Sequence, residues 1–127
     1  MDFLIDNQSF IWLFEDNPCL PSSVRIRMER SNSLVVSIVN FWEMTIKANL
    51  GKLVIPETIA GVIDKALAIG FKVLPIEREH LIVLSTLDLI HRDPFDRLII
   101  AQAIAENMPL ISSDEVFSQY PVNRIWI

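Results

Sequence analysis

Four acidic residues stand where open α/β sheets carry out chemistry, because they follow strand-like apolar runs or lie in the helices that come next. They are Asp6, Glu43, Asp96 and Asp114. In a doubly wound sheet, the carboxyl ends of the strands and the starts of the following helices share one edge, where ligands bind. Four carboxylates at one edge repel each other unless a cation lies between them. Hard oxygen ligands suit Mg²⁺ or Mn²⁺, so the pattern suggests phosphate chemistry.

Asp6 and Asp114 each come after an apolar run. Asp6 directly follows Phe3-Leu4-Ile5, and Asp114 lies shortly after Pro109-Leu110-Ile111. Each also has a local explanation, because Asp6 can start a turn or cap the next helix, and Asp114 can cap a helix of its own. Ser112 or Ser113 is a candidate for holding a water molecule beside Asp114, and Ser112 is also a candidate for binding substrate.

Glu43 and Asp96 lie in helical segments. Glu43 can pair with Lys47 one turn later on a solvated face, yet its neighbours are apolar, and a buried carboxylate needs a partner. Asp96 stands three residues after Asp93, a candidate helix cap, so the helix dipole favours a carboxylate there in any case. Each signal alone is weak, and it is their joint placement that predicts a metal site.

Several other polar residues are candidates for binding substrate or for shaping the site. Arg92 and Arg97 crowd the turn before the last long helix, where they could meet a phosphate. Asn7 directly follows Asp6 and could orient a water molecule. His91 lies in the same turn and could also meet a phosphate, but it is equally well explained as an ordinary loop histidine. We interpret His80 as structural.

The composition limits the class of protein. The 127 residues are 51% hydrophobic, which suits one domain, 1–127, with a full core. A net charge of −5 argues against a passive nucleic-acid binder but not against a metal-dependent nuclease. The three glycines are not grouped, which argues against a Gly-rich phosphate loop. We expect no membrane span, because no apolar run approaches about 18 residues. We expect a cytoplasmic protein, because the N-terminus lacks a basic signal region and Cys19 is the single cysteine.

Alternating strand-like and helix-like segments predict an α/β fold with a parallel sheet of about five strands and helices on both faces. The predicted strands are Phe3–Ile5, Leu34–Ser37, Lys72–Leu74, Leu110–Ser112 and Arg124–Ile127. The predicted helices are Ser9–Phe14, Ser22–Glu29, Asn40–Ala48, Glu57–Ile69, Glu79–Thr86 and Pro94–Glu106. Helix stops and starts are marked by Gly51, Gly70, Pro21, Pro56 and Pro94.

Segments along nearly the whole chain resemble the PIN domain, and more closely its VapC-type toxins. The segments are Leu4-Ile5-Asp6 with Phe10-Ile11-Trp12-Leu13, Phe41-Trp42-Glu43-Met44 with Ile46-Lys47 and Leu50-Gly51-Lys52-Leu53, His91 to Ala103, and Ser112-Ser113-Asp114. The stretch from Arg92 to Ala103 is the most specific. The resemblance implies a three-layer α/β/α sandwich.

The resemblance also implies Mg²⁺- or Mn²⁺-dependent cleavage of RNA of the transfer or ribosomal class. It implies that Asp6, Glu43, Asp96 and Asp114 are the catalytic residues and the metal ligands. It further implies a cognate antitoxin protein and usually a homodimer. The chain departs from the family at Asn7 and Gln8, where threonine or serine, often followed by histidine, is usual. The alternative is therefore a catalytically weak PIN-like module that acts by binding protein or RNA.

Overall fold

Five short parallel strands form the centre of the fold. In the computed structural model, which describes residues 2–30, 33–55 and 57–126, the strands are β1 Asp2–Ile5, β2 Ser33–Ser37, β3 Lys72–Leu74, β4 Leu110–Ile111 and β5 Arg124–Ile125. Their order across the sheet is β3-β2-β1-β4-β5, and every pairing is parallel. The predicted parallel sheet is therefore confirmed, although Ile127 of the last predicted strand lies outside the described residues.

The α-helices found in the described part of the chain match the six that the sequence predicts. They are α1 Asn7–Phe14, α2 Ser22–Glu29, α3 Ile38–Asn49, α4 Ile59–Ala68, α5 Arg78–Thr86 and α6 Pro94–Ala105. A short 3-10 helix, Glu115–Gln119, lies between β4 and β5. Pro56, which we expected near a helix start, lies outside the described residues. Within those ranges, no helix has the length and apolar character needed to cross a membrane.

Two apolar layers cover the two faces of the sheet. Because side chains alternate along a strand, Ile5 packs into one layer and its neighbour Leu4 into the other. The first layer is completed by α1, α2 and α4, and the second by α6. Phe10 anchors the first layer through edge-on ring contacts with Phe41 and Phe71. These layers confirm the predicted α/β/α sandwich.

The strand order fixes where a ligand can bind. From β1 the chain goes to β2 on one side, whereas β4, the other neighbour of β1, leads on to β5. The boundary between β1 and β4 is thus the topological switch point, where open parallel sheets form a crevice beyond the carboxyl ends of the strands. Asp6 directly follows β1 and Ser112 directly follows β4, so both residues lie at that crevice.

Candidate active site

Asp6 joins β1 to α1 and links the end of β1 to the end of the neighbouring strand β4. Its Oδ1 accepts a hydrogen bond from the backbone N–H of Ser9 at 2.9 Å, which caps α1. Its Oδ2 accepts a hydrogen bond from the Ser112 hydroxyl at 2.7 Å. Burial raises the pKa of Asp6 above its ordinary value, while the hydrogen bonds from Ser9 and Ser112 partly offset that rise. The carboxylate is therefore both a helix cap and a rigidly oriented group at the switch point.

Asp96 lies in the first turn of α6. The helix begins behind Asp93, whose Oδ1 accepts hydrogen bonds from the backbone N–H groups of Phe95 at 3.0 Å and Asp96 at 3.1 Å. Pro94 occupies the first helical position, as the sequence predicts. The cap holds the turn so that the Asp96 side chain reaches the same edge of the sheet as Asp6.

The pKa of Asp96 reports how closely the acidic residues converge. Burial, followed by the negative charges of Asp93, Glu43, Asp6 and Asp114, raises that pKa to about 7. Asp93 at the start of the same helix and three carboxylates from other parts of the chain therefore act on the same group. Such crowding of like charges is unfavourable unless a proton or a cation is present.

Glu43 lies on α3 with its carboxylate buried, at 4% exposure. Its Oε2 lies 2.6 Å from Nζ of Lys47, so the i,i+4 pair anticipated from the sequence exists. The carboxylate end of that pair is buried rather than solvated, however, and only Lys47 reaches solvent. Within the described chain, Oε1 of Glu43 is buried without a hydrogen-bond partner. A buried carboxylate oxygen in that state favours a cation or a donor.

One cavity of about 360 Å³ brings these groups together. Its lining residues are Asp6, Asn7, Gln8, Glu43, Lys47, Asp93, Asp96, Ser113, Asp114 and Phe117. All four acidic residues singled out from the sequence line it. Asp114 stands exposed at the rim, where its Oδ1 accepts a hydrogen bond from the N–H of Val116 at 3.0 Å and caps the 3-10 helix.

The other residues proposed from the sequence differ in whether they line the acidic cavity. Asn7 lines the cavity, and its buried Oδ1 has no hydrogen-bond partner among the described residues. Ser112 is buried, and its hydroxyl donates a hydrogen bond to Asp6. Arg92 is exposed and does not line the cavity.

Arg97 uses its guanidinium group within the fold. Nη1 donates to the carbonyl of Asp88 at 2.8 Å and to the Tyr120 hydroxyl at 3.1 Å, and Nη2 donates to the carbonyl of Leu87 at 3.4 Å. The side chain thus fastens the start of α6 to the segment that precedes it. A role for Arg92 or Arg97 in binding substrate stays a prediction.

The sequence profile of the PIN domain matches residues 3–123. The chain belongs to the PIN domain family. Members of this family are generally nucleases, and those nucleases generally depend on divalent metals. No curated protein matches the chain at the level of sequence.

Solved structures share the fold of this PIN domain. VapBC2 from Rickettsia felis, bound to a DNA fragment from its promoter, has a TM-score of 0.76 at 17% identity, with 98% of both chains covered. DNA-bound VapBC from Salmonella typhimurium has the same TM-score and identity, with 98% of this chain and 97% of that chain covered. A toxin–antitoxin complex from Klebsiella pneumoniae has a TM-score of 0.66 at 17% identity, with 98% and 96% covered.

Two features of this PIN domain site were not assigned to it from the sequence. Asp93 was predicted to cap the helix and to share a helix face with Asp96 but was not named as a site residue, yet it forms part of the cavity wall. Tyr120 was not singled out, although its hydroxyl contacts His91 and Arg97 behind Asp96. The spacing of Asp93 and Asp96 on one helix face gave a signal for the first. No local pattern marks Tyr120.

The donor set of this PIN domain fits a hard divalent cation. Among the residues that line the cavity, five carboxylates face one ammonium group, that of Lys47. A positive charge in the cavity would give Oε1 of Glu43 a partner and would lower the raised pKa of Asp96. In the described ranges, no three His, Cys, Asp or Glu side chains form a ready-made metal cage. Mg²⁺ does not need one, because it keeps several waters and binds through one or two carboxylates.

Proposed function

We propose that this PIN domain is a Mg²⁺- or Mn²⁺-dependent endoribonuclease and the toxin of a toxin–antitoxin pair. The observation that carries the nuclease proposal is the cavity in which Asp6, Glu43, Asp96 and Asp114 meet at the switch point of the sheet. The toxin proposal rests on the resemblance of the chain to VapC-type toxins. It is supported by the shared fold with VapBC complexes.

In this mechanism, each carboxylate has a role that follows from its surroundings. Asp6 and Asp96 would hold the metal directly, Glu43 would bind it directly or through water, and Asp114 would complete the set from the rim. When bound, the metal supplies Lewis acidity and lowers the pKa of a water molecule that attacks the phosphodiester. Asp6 is already oriented by Ser112, so little reorganisation is needed at that ligand.

RNA is proposed as the substrate, of the transfer or ribosomal class, because the resemblance implies it. The acidic cavity cannot attract a phosphate by itself, since five carboxylates outnumber Lys47. Phosphate binding would therefore depend on the cation. Asn7 lines the same cavity with a buried amide, which places a polar group where a phosphate or a water molecule can be bound.

The competing proposal is a catalytically weak PIN module that acts by binding. It is favoured by Asn7, which stands where the family usually has a hydroxyl side chain. An amide can still form hydrogen bonds, but it is bulkier than a hydroxyl group. A metal-dependent RNA cleavage assay separates the two proposals.

The decisive experiment measures cleavage of folded RNA in Mg²⁺, Mn²⁺ or EDTA by the wild type, Asp96→Asn and Asp64→Asn. Asp64 lies exposed on α4 outside the cavity, so Asp64→Asn is a matched control. We expect cleavage only with metal, a fall of about 100-fold or more in Asp96→Asn, and wild-type rates in Asp64→Asn. Cleavage in EDTA, or robust cleavage by Asp96→Asn, would refute the metal mechanism. RNA binding without cleavage would support the weak module.

The antitoxin is proposed to cover an apolar groove near the end of α4. Two cavities of about 480 and 410 Å³ share Leu13 and Ile69 as lining residues. Leu67 and Ile69 are also exposed large apolar side chains. A short antitoxin helix with an apolar face would bury these residues. Co-purification with the product of a neighbouring small gene should succeed for the wild type and fail for Ile69→Asp.

The homodimer is proposed to form through α5. Leu81 and Ile82 on this helix are exposed apolar side chains, and Leu89 follows them. A second copy of the chain would remove this apolar surface from water. Sedimentation should show a dimer that Leu81→Glu dissociates, whereas a monomeric wild type would contradict the proposal.

A further inference from the structure

Tyr120, His91 and Asp96 form a chain of contacts behind the candidate metal site. Tyr120, directly after the 3-10 helix, is buried, and its hydroxyl lies 2.7 Å from Nδ1 of His91. Nε2 of His91 lies 3.4 Å from Oδ2 of Asp96. The rings of Tyr120 and His91 also pack edge to face, with centroids 5.4 Å apart. The imidazole therefore lies directly between a buried phenol and a cavity-lining carboxylate.

The partners of the Tyr120 hydroxyl determine which nitrogen of His91 carries the proton. The oxygen accepts a hydrogen bond from the backbone N–H of His91 at 3.3 Å and another from Nη1 of Arg97 at 3.1 Å. With both acceptor positions of the oxygen in use, its own proton is left to donate to Nδ1 of His91. A neutral imidazole whose Nδ1 accepts carries its proton on Nε2. That N–H faces Asp96.

Nε2 of His91 has a hydrogen to donate but no bonded partner. The atom is buried and forms no hydrogen bond within the part of the chain that the structure describes. At 3.4 Å, the contact with Asp96 is an electrostatic approach rather than a well-formed hydrogen bond. A buried donor without a partner is unfavourable, and a carboxylate oxygen is the strongest acceptor type that a protein offers. A small movement of either side chain would complete the bond.

We propose that His91 is a positioning residue for Asp96. The imidazole donates from Nε2 to Oδ2 and keeps the carboxylate in one orientation toward the cavity, while Tyr120 holds the imidazole in the required tautomer. This inference rests on the proposed function, because it assumes that Asp96 ligates a metal. Groups that hydrogen-bond to metal-binding side chains typically change metal affinity by about 10- to 100-fold when they are removed.

The test compares two substitutions at His91 that place a side-chain amide at different distances from the backbone. The amide nitrogen of His91→Gln lies near the place of Nε2 and can still donate to Asp96. The shorter side chain of His91→Asn reaches only the place of Nδ1. Tyr120→Phe keeps the ring and removes the hydroxyl that sets the tautomer. His80→Asn is the control, because buried His80 bonds to Glu106 and does not line the cavity.

Binding of Mn²⁺ to each folded variant is measured by calorimetry, beside its melting temperature. We expect His91→Asn to bind Mn²⁺ about 10- to 100-fold more weakly than the wild type, and His91→Gln to recover most of that loss. Tyr120→Phe should also weaken binding, whereas His80→Asn should lower only the melting temperature.

Three results would overturn the inference, and only the last would also overturn the proposed function. Wild-type affinity in both His91→Asn and Tyr120→Phe, or equal losses in His91→Asn and His91→Gln, would refute the positioning role alone. A wild type that binds no Mn²⁺ would refute the proposed metal mechanism and the positioning role with it.

Discussion

At Asp96, burial and neighbouring carboxylates oppose the negative charge that its proposed role as a metal ligand requires. The pKa of its carboxyl group is raised from 3.8 to about 7 in the folded protein. Between those two values, the folded protein keeps a proton on Asp96 that the unfolded chain has released. The contribution of this group to stability is therefore full below about pH 4 and is lost as the pH rises through about 7.

This linkage predicts how Asp96→Asn changes stability without metal. The variant carries no charge at this position, so it should be at least as stable as the wild type at pH 8, and its relative gain should shrink at pH 5. If Asp96 served only the helix dipole, the variant would instead lose about 0.3–1 kcal/mol at pH 8. Urea unfolding in EDTA at both pH values, with Asp64→Asn as the control, measures the sign of the difference.

The four acidic residues that line the cavity could be singled out from the sequence, but their hydrogen-bond partners could not. Asp6 and Asp114 stand after apolar runs, and such junctions can be recognised from the local sequence alone. The bond between Asp6 and Ser112 joins residues 106 positions apart, and that between His91 and Tyr120 joins residues 29 positions apart. No local pattern encodes such contacts. For the same reason, the sequence could not show that Arg97 binds backbone carbonyls inside the fold.

Among the elements, α3 carries a carboxylate that depends on its own helix for a counter-charge. Lys47 is the cation that touches the buried Glu43, and the two lie one turn apart. Replacing Lys47 leaves the Glu43 carboxylate buried with no ammonium group beside it. A cation bound in the cavity would compensate for that loss.

We therefore expect Lys47→Gln to lower the metal-free free energy of unfolding by about 1–3 kcal/mol and Mg²⁺ to restore much of it. The matched control is Lys65→Gln, which breaks an ion pair with Glu57 on the surface and should cost less than about 1 kcal/mol. Because Lys65 and Glu57 do not line the acidic cavity, Mg²⁺ should not restore that loss. Equal recovery in both variants would indicate a general salt effect.

The bounds of α3 also show where sequence patterns fail at the level of elements. We predicted a start at Asn40, but the helix begins at Ile38, directly after Ser37. Ser37 is both the last residue of β2 and the cap of α3, accepting a hydrogen bond from the N–H of Val39 at 3.0 Å. With no linker between strand and helix, the apolar residues Ile38 and Val39 look like a continuation of the strand.

The start of α5 depends on a histidine that takes no part in the proposed chemistry. Nδ1 of His80 accepts a hydrogen bond from the N–H of Glu77 at 2.9 Å, and Nε2 lies 2.9 Å from Oε2 of Glu106. We expect His80→Ala to lower the free energy of unfolding by at least about 2 kcal/mol, since it removes the hydrogen bonds of the imidazole to Glu77 and Glu106. Metal-dependent cleavage below the melting temperature should stay unchanged. A loss of cleavage in the folded variant would contradict the structural interpretation of His80.

For the molecule as a whole, the cavity concentrates negative charge on a protein that already carries a net charge of −5. Five carboxylates of one cavity contribute to that charge and lie close together only in the folded state. A divalent cation that binds the folded state and not the unfolded chain stabilises the fold by mass action. Under the proposed metal mechanism, folding and metal binding are therefore linked.

Mg²⁺ should accordingly raise the melting temperature with the logarithm of its concentration. The gain in stability should reach about 2.7 kcal/mol when free Mg²⁺ is 100 times its dissociation constant. The shift should be larger at pH 8 than at pH 6, because binding at pH 6 must first displace the proton on Asp96. Sodium chloride of matched ionic strength should not reproduce the shift, and Asp96→Asn should reduce it while Asp64→Asn keeps it. A wild-type melting temperature that stays constant across millimolar Mg²⁺ and Mn²⁺ would show that the carboxylates do not form a cation site.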